Sequence, residues 1–407
     1  MRVLLSAVGT RGDVQPAIAL ALELRKRDHQ VRLCISPNFV AWAASLGLEA
    51  RPMGVEMRAP PRKSSAPPPT LSAEDLRRLR ESMPDLVTDQ FDTLGAAAEG
   101  CDVIVGCNAH QYAAPSIAER ADIGCVTAVY APNSIPSPEL APPPAPFQKE
   151  PPAGSNDERW RATAKAWNER ALERVNHNRG RLRLEPVADV LDYTLTDHTW
   201  LAADAALAPP PAASGRRIFQ TGSWVLADSS PLPAGLAAFL ERGDPPVFVG
   251  FGSMPAASDA ARPLIAAART AGRRIVVSKG WADLELGGDA PDAIAVGDVS
   301  HGALFPRVAA VVHHGGAGTT AAAARAGVPQ LITPLFGDQF YWAERVVQLG
   351  AGATVPHTAM TDEAVTRALG AALGPAVTER ARSLALLVRA DGAATAASRL
   401  EAEYGNR

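Results

Sequence analysis

The chain runs to 407 residues, 47% of them hydrophobic and 20% charged, with a formal net charge of −3. That length holds two ordinary domains, each with its own core, and the apolar and charged fractions are those of a soluble globular protein. The charge and the lack of a basic run in the sequence exclude a nucleic-acid footprint, and no stretch of ~20 apolar residues is there to span a bilayer.

Met1–Leu5 is apolar like a secretory leader, but the run breaks at Gly9-Thr10-Arg11-Gly12-Asp13 with no cleavage-like site, so a first core strand is expected. In the first half Arg2–Val8, Gln30–Ile35, Val103–Gly106 and Cys125–Val129 read as strands, with helical patterns such as Val14–Arg27 and Ser72–Ala97 between them. The proline-rich stretches Ala59–Thr70 and Ser134–Gly154 read as lids or binding loops rather than compact connectors. Ala208–Gly215 carries three prolines, which continue neither sheet nor helix, and marks a linker. It sets the expected domains at 1–208 and 218–390, joined by 209–217, with 391–407 as a closing segment.

In the second half Val247–Gly250, Arg274–Ser278, Ala293–Val296, Ala309–Val312 and Gln330–Thr333 read as strands, separated by helices at Ala260–Ala271, Thr319–Ala326 and Gln339–Leu349. Such alternation predicts an α/β protein with two doubly wound parallel sheets. Cys34, Cys101, Cys107 and Cys125 lie in or beside these strands without CxxC spacing and read as buried free thiols of a cytoplasmic protein.

The most informative stretch is Val312–Thr320, VHHGGAGTT: a strand, two histidines, then a glycine loop opening an alanine-rich helix. Such a turn presents free backbone N–H groups and the positive end of a helix dipole, a ready site for phosphate. Here a histidine would add a side-chain donor; the alternative for His313 is a satisfied core histidine. The first loop, Gly9–Pro16, lacks both the GxGxxG and the GK[ST] patterns. Its Asp13 is either a helix N-cap or a general base at the mouth of a cleft. The two roles are compatible if one oxygen caps and the other faces the cleft.

Gly250-Phe-Gly-Ser-Met254 also follows a strand, and Ser253 is either a phosphate donor or part of a tight turn. Trp281 reads as core packing, and Val299 stands where its backbone can meet a base ring. Asp338-Gln339 open a helix: Asp338 is an N-cap alone, but together the pair suits neighbouring sugar hydroxyls, one accepting and the other both donating and accepting.

GTRGDVQP, GFGSM, GWADL, HHGGAGTT, RAGVPQ and GDQ together resemble the bacterial family 1 glycosyltransferases, above all those that decorate glycopeptide antibiotics of the vancomycin type. Sterol and macrolide glycosyltransferases share much of the pattern. The likeness spans nearly the whole chain and is densest from Val247 to Gly352. It implies the GT-B fold, two Rossmann-like domains facing each other across a cleft, with the closing helix (roughly Asp391–Tyr404) crossing back onto the first.

By matching position, the resemblance puts His313, Gly316, Gly318 and Thr319 on the donor diphosphate, helped by Ser253 and the Thr10–Gly12 turn. Val299 would lie by the base, Asp338 and Gln339 on the donor sugar, and Asp13 would deprotonate the acceptor. Where some relatives use a His–Asp dyad, this chain has Cys107-Asn108 near the second position, so Asp13 works alone or Asp338 shares the task. The implied reaction is inverting and metal-independent, with no cofactor beyond a UDP- or TDP-sugar, and no DxD pair of the metal-holding kind is present. The acceptor would be a hydrophobic small molecule or a glycopeptide, a macrolide, another polyketide or a sterol being the alternatives. Neither nucleic acid nor a stable membrane contact is implied, and the protein is expected as a monomer or weak dimer. A nucleotide-sugar epimerase shares the architecture but needs no acceptor domain with long apolar loops; a non-catalytic sugar-nucleotide binder would need no Asp13.

Overall fold

Parallel sheets bury both faces, so their strands are near-continuous apolar runs, and this chain supplies two sets of them. The computed structural model describes residues 1–56, 85–108, 110–144, 154–254, 261–281, 284 and 291–405. The first unit comprises β1 (Arg2–Ala7), α1 (Arg11–Lys26), β2 (Gln30–Ile35), α2 (Val40–Ser45), β3 (Glu49–Pro52), α3 (Leu86–Ala97), β4 (Val103–Cys107), α4 (Ala114–Ala121), β5 (Gly124–Val129), α5 (Asn156–Arg181), α6 (Val190–Leu195), β6 (Thr199–Leu201) and β7 (Ile218–Gln220). Its seven strands are ordered β3-β2-β1-β4-β5-β6-β7, every pairing parallel. The expected loop Ala59–Thr70 and residues 72–84 of the expected helix Ser72–Ala97 lie outside the described residues, as do residues 145–153 of Ser134–Gly154.

The second unit comprises α7 (Ala234–Glu241), β8 (Val247–Gly250), α8 (Ala261–Thr270), β9 (Ile275–Ser278), β10 (Ala293–Val296), α9 (His301–Leu304), β11 (Ala310–His313), α10 (Ala317–Arg325), β12 (Gln330–Ile332), α11 (Gln339–Gln348), β13 (Gly352–Thr354), α12 (Asp362–Ala372) and α13 (Pro375–Ala385). Its sheet runs β10-β9-β8-β11-β12-β13, again all parallel. In both sheets the strand order reverses once, between β1 and β4 and between β8 and β11. The crevice beyond the carboxyl ends of such strands is where open α/β sheets bind ligands. The loops after β1, β8 and β11 carry motifs singled out by sequence, and the one after β4 begins at Asn108.

One boundary is corrected. Residues 218–220, expected in the second domain, form β7, the edge strand that pairs with β6 in the first sheet. The Gln220 carboxamide fastens it by donating to the Ala203 and Ala208 carbonyls at 2.8 Å each. The proline run 208–215 is therefore a connection inside the first unit, not the linker between units. Prolines stop a ladder locally but leave the chain free to re-enter the sheet one strand further out.

The last helix, α14 (Gly392–Tyr404), packs on α1: Ala393, Ala396, Ala397, Leu400 and Tyr404 join one core with Val14, Ile18, Ala21 and Leu24. Glu401 accepts from Arg27 at 3.0 Å and pairs with His29 at 2.9 Å. A second core crosses between the units, where Val129, Ile135, Trp160 and Leu201 meet Ala321, Ile332, Trp342 and Leu384. Among the described residues no helix is long and apolar enough to cross a membrane, and all four cysteines are free thiols.

The anchoring of α14 depends on backbone contact, since a Cβ on Gly392 would stand 2.4 Å from the Gly222 carbonyl carbon. Gly392→Ala should therefore cost about 1–3 kcal/mol, the usual range for overpacking, measured as a lower urea midpoint with unchanged slope. An unaltered midpoint would show that the helix docks loosely.

Candidate active site

Gly9 adopts φ +141°, and a Cβ there would fall 2.2 Å from Asp13 Oδ2, so glycine alone lets the carboxylate fold back over this turn. Asp13 occupies the first turn of α1. Its Oδ2 accepts from the Thr10 backbone N–H at 2.7 Å and the Thr10 hydroxyl at 3.1 Å, the return half of a capping box. Its Oδ1 accepts from Asn108 Nδ2 at 2.5 Å, and the Tyr130 hydroxyl donates to its carbonyl at 3.0 Å. Asp13 is thus not the N-cap, which is Thr10, but its N3 partner: one oxygen bonds back to Thr10 while the other turns to Asn108 at the end of β4. Burial pushes the Asp13 carboxyl above its ordinary value, and the bonds from Asn108 and Thr10 pull it back.

Asn108, which the sequence marked only as standing near the second position of the dyad, is the partner of Asp13. It sits at φ +72°, a left-handed conformation that asparagine tolerates better than most residues. Buried amides hold its loop from both sides. Gln111 accepts from the Ser6 hydroxyl at 2.5 Å and donates to the Cys107 carbonyl at 2.9 Å. Gln90 donates to the His110 carbonyl at 2.9 Å and accepts from the Tyr112 N–H at 2.8 Å. Nothing in local sequence periodicity marks Asn108; only its long-range bond to Asp13 does.

The facing wall belongs to the second unit. Gly316 is the N-cap of α10, so the N–H groups of Ala317, Gly318 and Thr319 have no partner within the helix. Gly316 and Thr319 are half-buried, Gly318 is exposed with open space beside it, and Ala317 touches the first unit's core. The assignment of His313 is corrected. Its ring is fully buried, with Nε2 on Gln330 Oε1 at 2.9 Å and Nδ1 accepting from the Gly315 N–H at 3.1 Å. Burial, with His314 beside it, pushes its pKa down to about 3. Both ring nitrogens are used inside the fold, which leaves no donor for a ligand.

Neighbours at a strand end point to opposite faces, and His314 takes the outward place. It is half-buried and its Nδ1 has no hydrogen-bond partner among the described residues. The ring lies over the helix start: its Nε2 is 2.7 Å from where a Cβ on Gly316 would stand, and its Cε1 is 3.8 Å from the same point on Gly252. Burial holds it neutral, down at about 4, so it offers one N–H beside the open end of α10. Ser253, half-buried, follows Gly252 in this same corner.

Asp338 precedes α11 but does not cap it; its Oδ2 instead accepts from Trp342 Nε1 at 3.1 Å. Burial raises its pKa to about 6, with the Asp13 charge adding to the rise. The two carboxylates, one from each unit, are therefore near enough for one charge to act on the other. Gln339 departs from expectation: its Oε1 accepts from the Leu335 and Phe336 N–H groups at 2.8 and 3.3 Å and its Nε2 points to Met254 Sδ at 3.9 Å. It braces the loop rather than facing the cleft. Val299 buries its side chain against the second unit's core, one residue beyond Asp298, which accepts from Arg11 Nη1 of the first unit at 2.7 Å. Trp281, expected in the core, stacks across the units on Phe39 at 6.1 Å and 15°. Among the described residues no three His, Cys, Asp or Glu side chains converge as metal ligands would.

Comparison with known proteins gives the family. Residues 3–132 match the glycosyltransferase family 28 N-terminal domain, and residues 263–398 match the erythromycin biosynthesis protein CIII-like C-terminal domain. The chain is 43% identical to glycosyltransferase GtfE of Amycolatopsis orientalis, over 100% of this chain and 98% of that one. It is 41% identical to the vancomycin aglycone glucosyltransferase of the same organism, over 98% and 96% of the two chains. Among solved structures, the calicheamicin glycosyltransferase CalG4 superposes with a TM-score of 0.70 at 19% identity, covering 100% and 98%, and so shares the GT-B fold.

The two histidines make a separable test. His314→Ala should weaken a nucleoside diphosphate by roughly tenfold or more, the worth of one bond to a charged group, and spare the free nucleoside. His313→Ala should instead lower stability by about 1–3 kcal/mol, because it strands the Gly315 N–H and Gln330. Calorimetric titration and urea unfolding read the two effects; the opposite pattern would return the ligand contact to His313.

Proposed function

The chain belongs to the glycosyltransferases of the vancomycin type, and from that premise we propose that it moves a hexose from UDP or TDP to a hydroxyl of a glycopeptide-type aglycone, inverting the anomeric carbon without a metal. The observation that carries this reading is Asp13, an enclosed carboxylate held by three donors from Thr10 and Asn108.

The acceptor hydroxyl gives its proton to Asp13 while its oxygen attacks the anomeric carbon. The bond from that carbon to the β-phosphate oxygen breaks, and the nucleoside diphosphate leaves with the electron pair. Attack from the face opposite the leaving group inverts the configuration. Negative charge grows on the departing phosphate, where the α10 N–H groups and the His314 ring are already aimed, so they stabilise the transition state more than the ground state. Fixed dipoles at a helix start supply what a divalent cation supplies elsewhere. In this reading Asp338 would meet the sugar hydroxyls and Val299 the base end of the donor. Four free thiols suit a reducing cytoplasm.

Asp13 rather than Asp338 is the base because Thr10 and Asn108 together supply three donors to its ionised form, while the side-chain donor on Asp338 is the Trp342 indole alone. Incubation with UDP- and TDP-hexoses and a glycopeptide aglycone should yield a product heavier by one hexose, with the anomeric proton showing inversion by NMR. Turnover that vanishes with a chelator and returns with magnesium would overturn the metal-free step. Asp13→Asn should keep nucleotide binding and lower kcat by about 10²–10⁴, the usual contribution of a general base; undiminished turnover removes the assignment.

Asn108 supplies a pH test. Its bond lowers the Asp13 pKa, and the base works only when ionised. Asn108→Ala should therefore move the acid limb of kcat/KM to higher pH while the plateau changes less. A limb that stays in place, or moves to lower pH, would show that Asn108 does not act on the base.

A further inference from the structure

Residues 136–144 follow β5 in the first unit, and five of the nine are proline, with Pro142, Pro143 and Pro144 in a row. Proline fixes φ and has no N–H, so a run of it keeps an extended course without a ladder and presents only carbonyls to its surroundings. The ties along this strap use it as an acceptor. From the first turns of α5, Asn156 Nδ2 donates to the Pro138 carbonyl at 3.0 Å and Trp160 Nε1 to the Leu140 carbonyl at 2.8 Å. The Glu139 carboxylate accepts from the Ala212 N–H at 3.0 Å. At the far end the strap leaves its own unit: the Pro144 carbonyl accepts from the Gly337 N–H of the second unit at 3.2 Å.

The turn that receives it carries Asp338. Its Leu335 and Phe336 N–H groups are committed to Gln339 Oε1 within the second unit. Gly337 follows at φ +66°, a left-handed conformation that suits glycine, and its N–H goes to the strap. Asp338 is the next residue, and its carboxylate is held in turn by Trp342 Nε1. Trp160 and Trp342 are both buried in the one core that crosses between the units. Two indoles of the same core thus do matched work. One fixes the strap that reaches the turn, and the other fixes the carboxylate the turn delivers.

We propose that this strap is a positioning element for Asp338: Trp160 and the proline run of the first unit hold the turn that aims a carboxylate of the second. The proposal rests on Asp338 as the partner of the donor sugar's hydroxyls and adds where that partner is set. The nucleotide end of the donor lies on the second unit alone, whereas the sugar is gripped in full only while the strap is seated. Left to its own unit, the turn would sample more positions, and each bond to a sugar hydroxyl would have to offset that freedom. The prolines keep the strap's own ordering cost small, since they have few conformations to lose.

The test uses the full chain in two forms: Trp160→Phe, which removes the donor to Leu140, and the pair Pro142→Gly with Pro143→Gly, which slackens the strap. Hydrogen exchange of the Trp342 indole N–H, followed by NMR without ligand, reads the hold on Asp338 directly. It should quicken roughly threefold to tenfold in both forms, while the Trp224 indole, buried on Thr221 at 2.9 Å, keeps its wild-type rate. Calorimetric titration should then show UDP-glucose or TDP-glucose weakened by roughly threefold to tenfold and UDP or TDP by less than about twofold. An unchanged Trp342 rate, or a rise that Trp224 shares, overturns the strap. The proline pair, on half-buried residues, decides the matter if Trp160→Phe disturbs the core. Should Trp342 respond as stated while the gap between sugar nucleotide and nucleotide stays as in the wild type, the strap stands and the sugar role of Asp338 falls.

Discussion

A carboxylate enclosed by protein stays ionised only if other donors replace the water it has lost, and the geometry around Asp13 is organised by that requirement. The donors come from two places far apart in sequence, Thr10 one turn away and Asn108 at the end of β4. Bringing them together needs β1 and β4 to be neighbours, which the reversal of strand order provides. It also needs Gly9, whose missing Cβ leaves room for the carboxylate, and Ser36, whose hydroxyl bonds both the N–H and the carbonyl of Gly9. Sheet topology is thus one cause of the site's chemistry, and a strained asparagine is another.

The second wall solves the complementary problem. An incoming diphosphate carries charge, and the end of α10 meets it with fixed N–H groups rather than mobile cations. The adjacent histidines divide the labour by strand geometry: His313 locks the loop from within and His314 lies across its mouth. The walls meet through Arg11 on Asp298 and Phe39 on Trp281, two contacts that join α1 and the 3-10 turn after β2 to the loops after β10 and β9. α14, packed back on α1, ties the end of the chain to the helix that carries the base.

Much of this was legible in the sequence because glycine loops after apolar runs are local signals. The strands β1, β2, β4, β5, β8, β9, β10, β11 and β12 follow such runs, and the loops holding Asp13, Gly316 and Asp338 follow three of them. The strands that escaped, β3, β6, β7 and β13, lie at or next to the ends of their sheets; they exist because a neighbour offers an edge. That is why the domain boundary fell short of β7. The choice between His313 and His314 was equally hidden, since a dipeptide does not say which ring enters the core. Gln339 looked like a ligand because its amide both donates and accepts, but the turn before α11 claims those same capacities. Asn108 needed tertiary structure outright, its partner lying 95 positions away.

The pairing of Asp13 with Asn108 also settles a conflict built into general-base catalysis. A base must hold a proton well enough to take it from a hydroxyl, which favours a raised pKa, yet must be free of one at the working pH. Enclosure provides the first and donors the second; at Asp13 they oppose each other directly. Asp338 shows what happens when the second is weak. With the Trp342 indole as its one side-chain donor it rises to about 6, so it passes from acceptor to donor within the mildly acidic range while Asp13 has more partners favouring its ionised form. Two carboxylates in one cleft are then kept from competing for the same proton, because each ionised charge raises the cost of the other and the donors decide which one bears it. In the proposed mechanism the asymmetry of the hydrogen bonds, rather than any difference between the two side chains, assigns the roles.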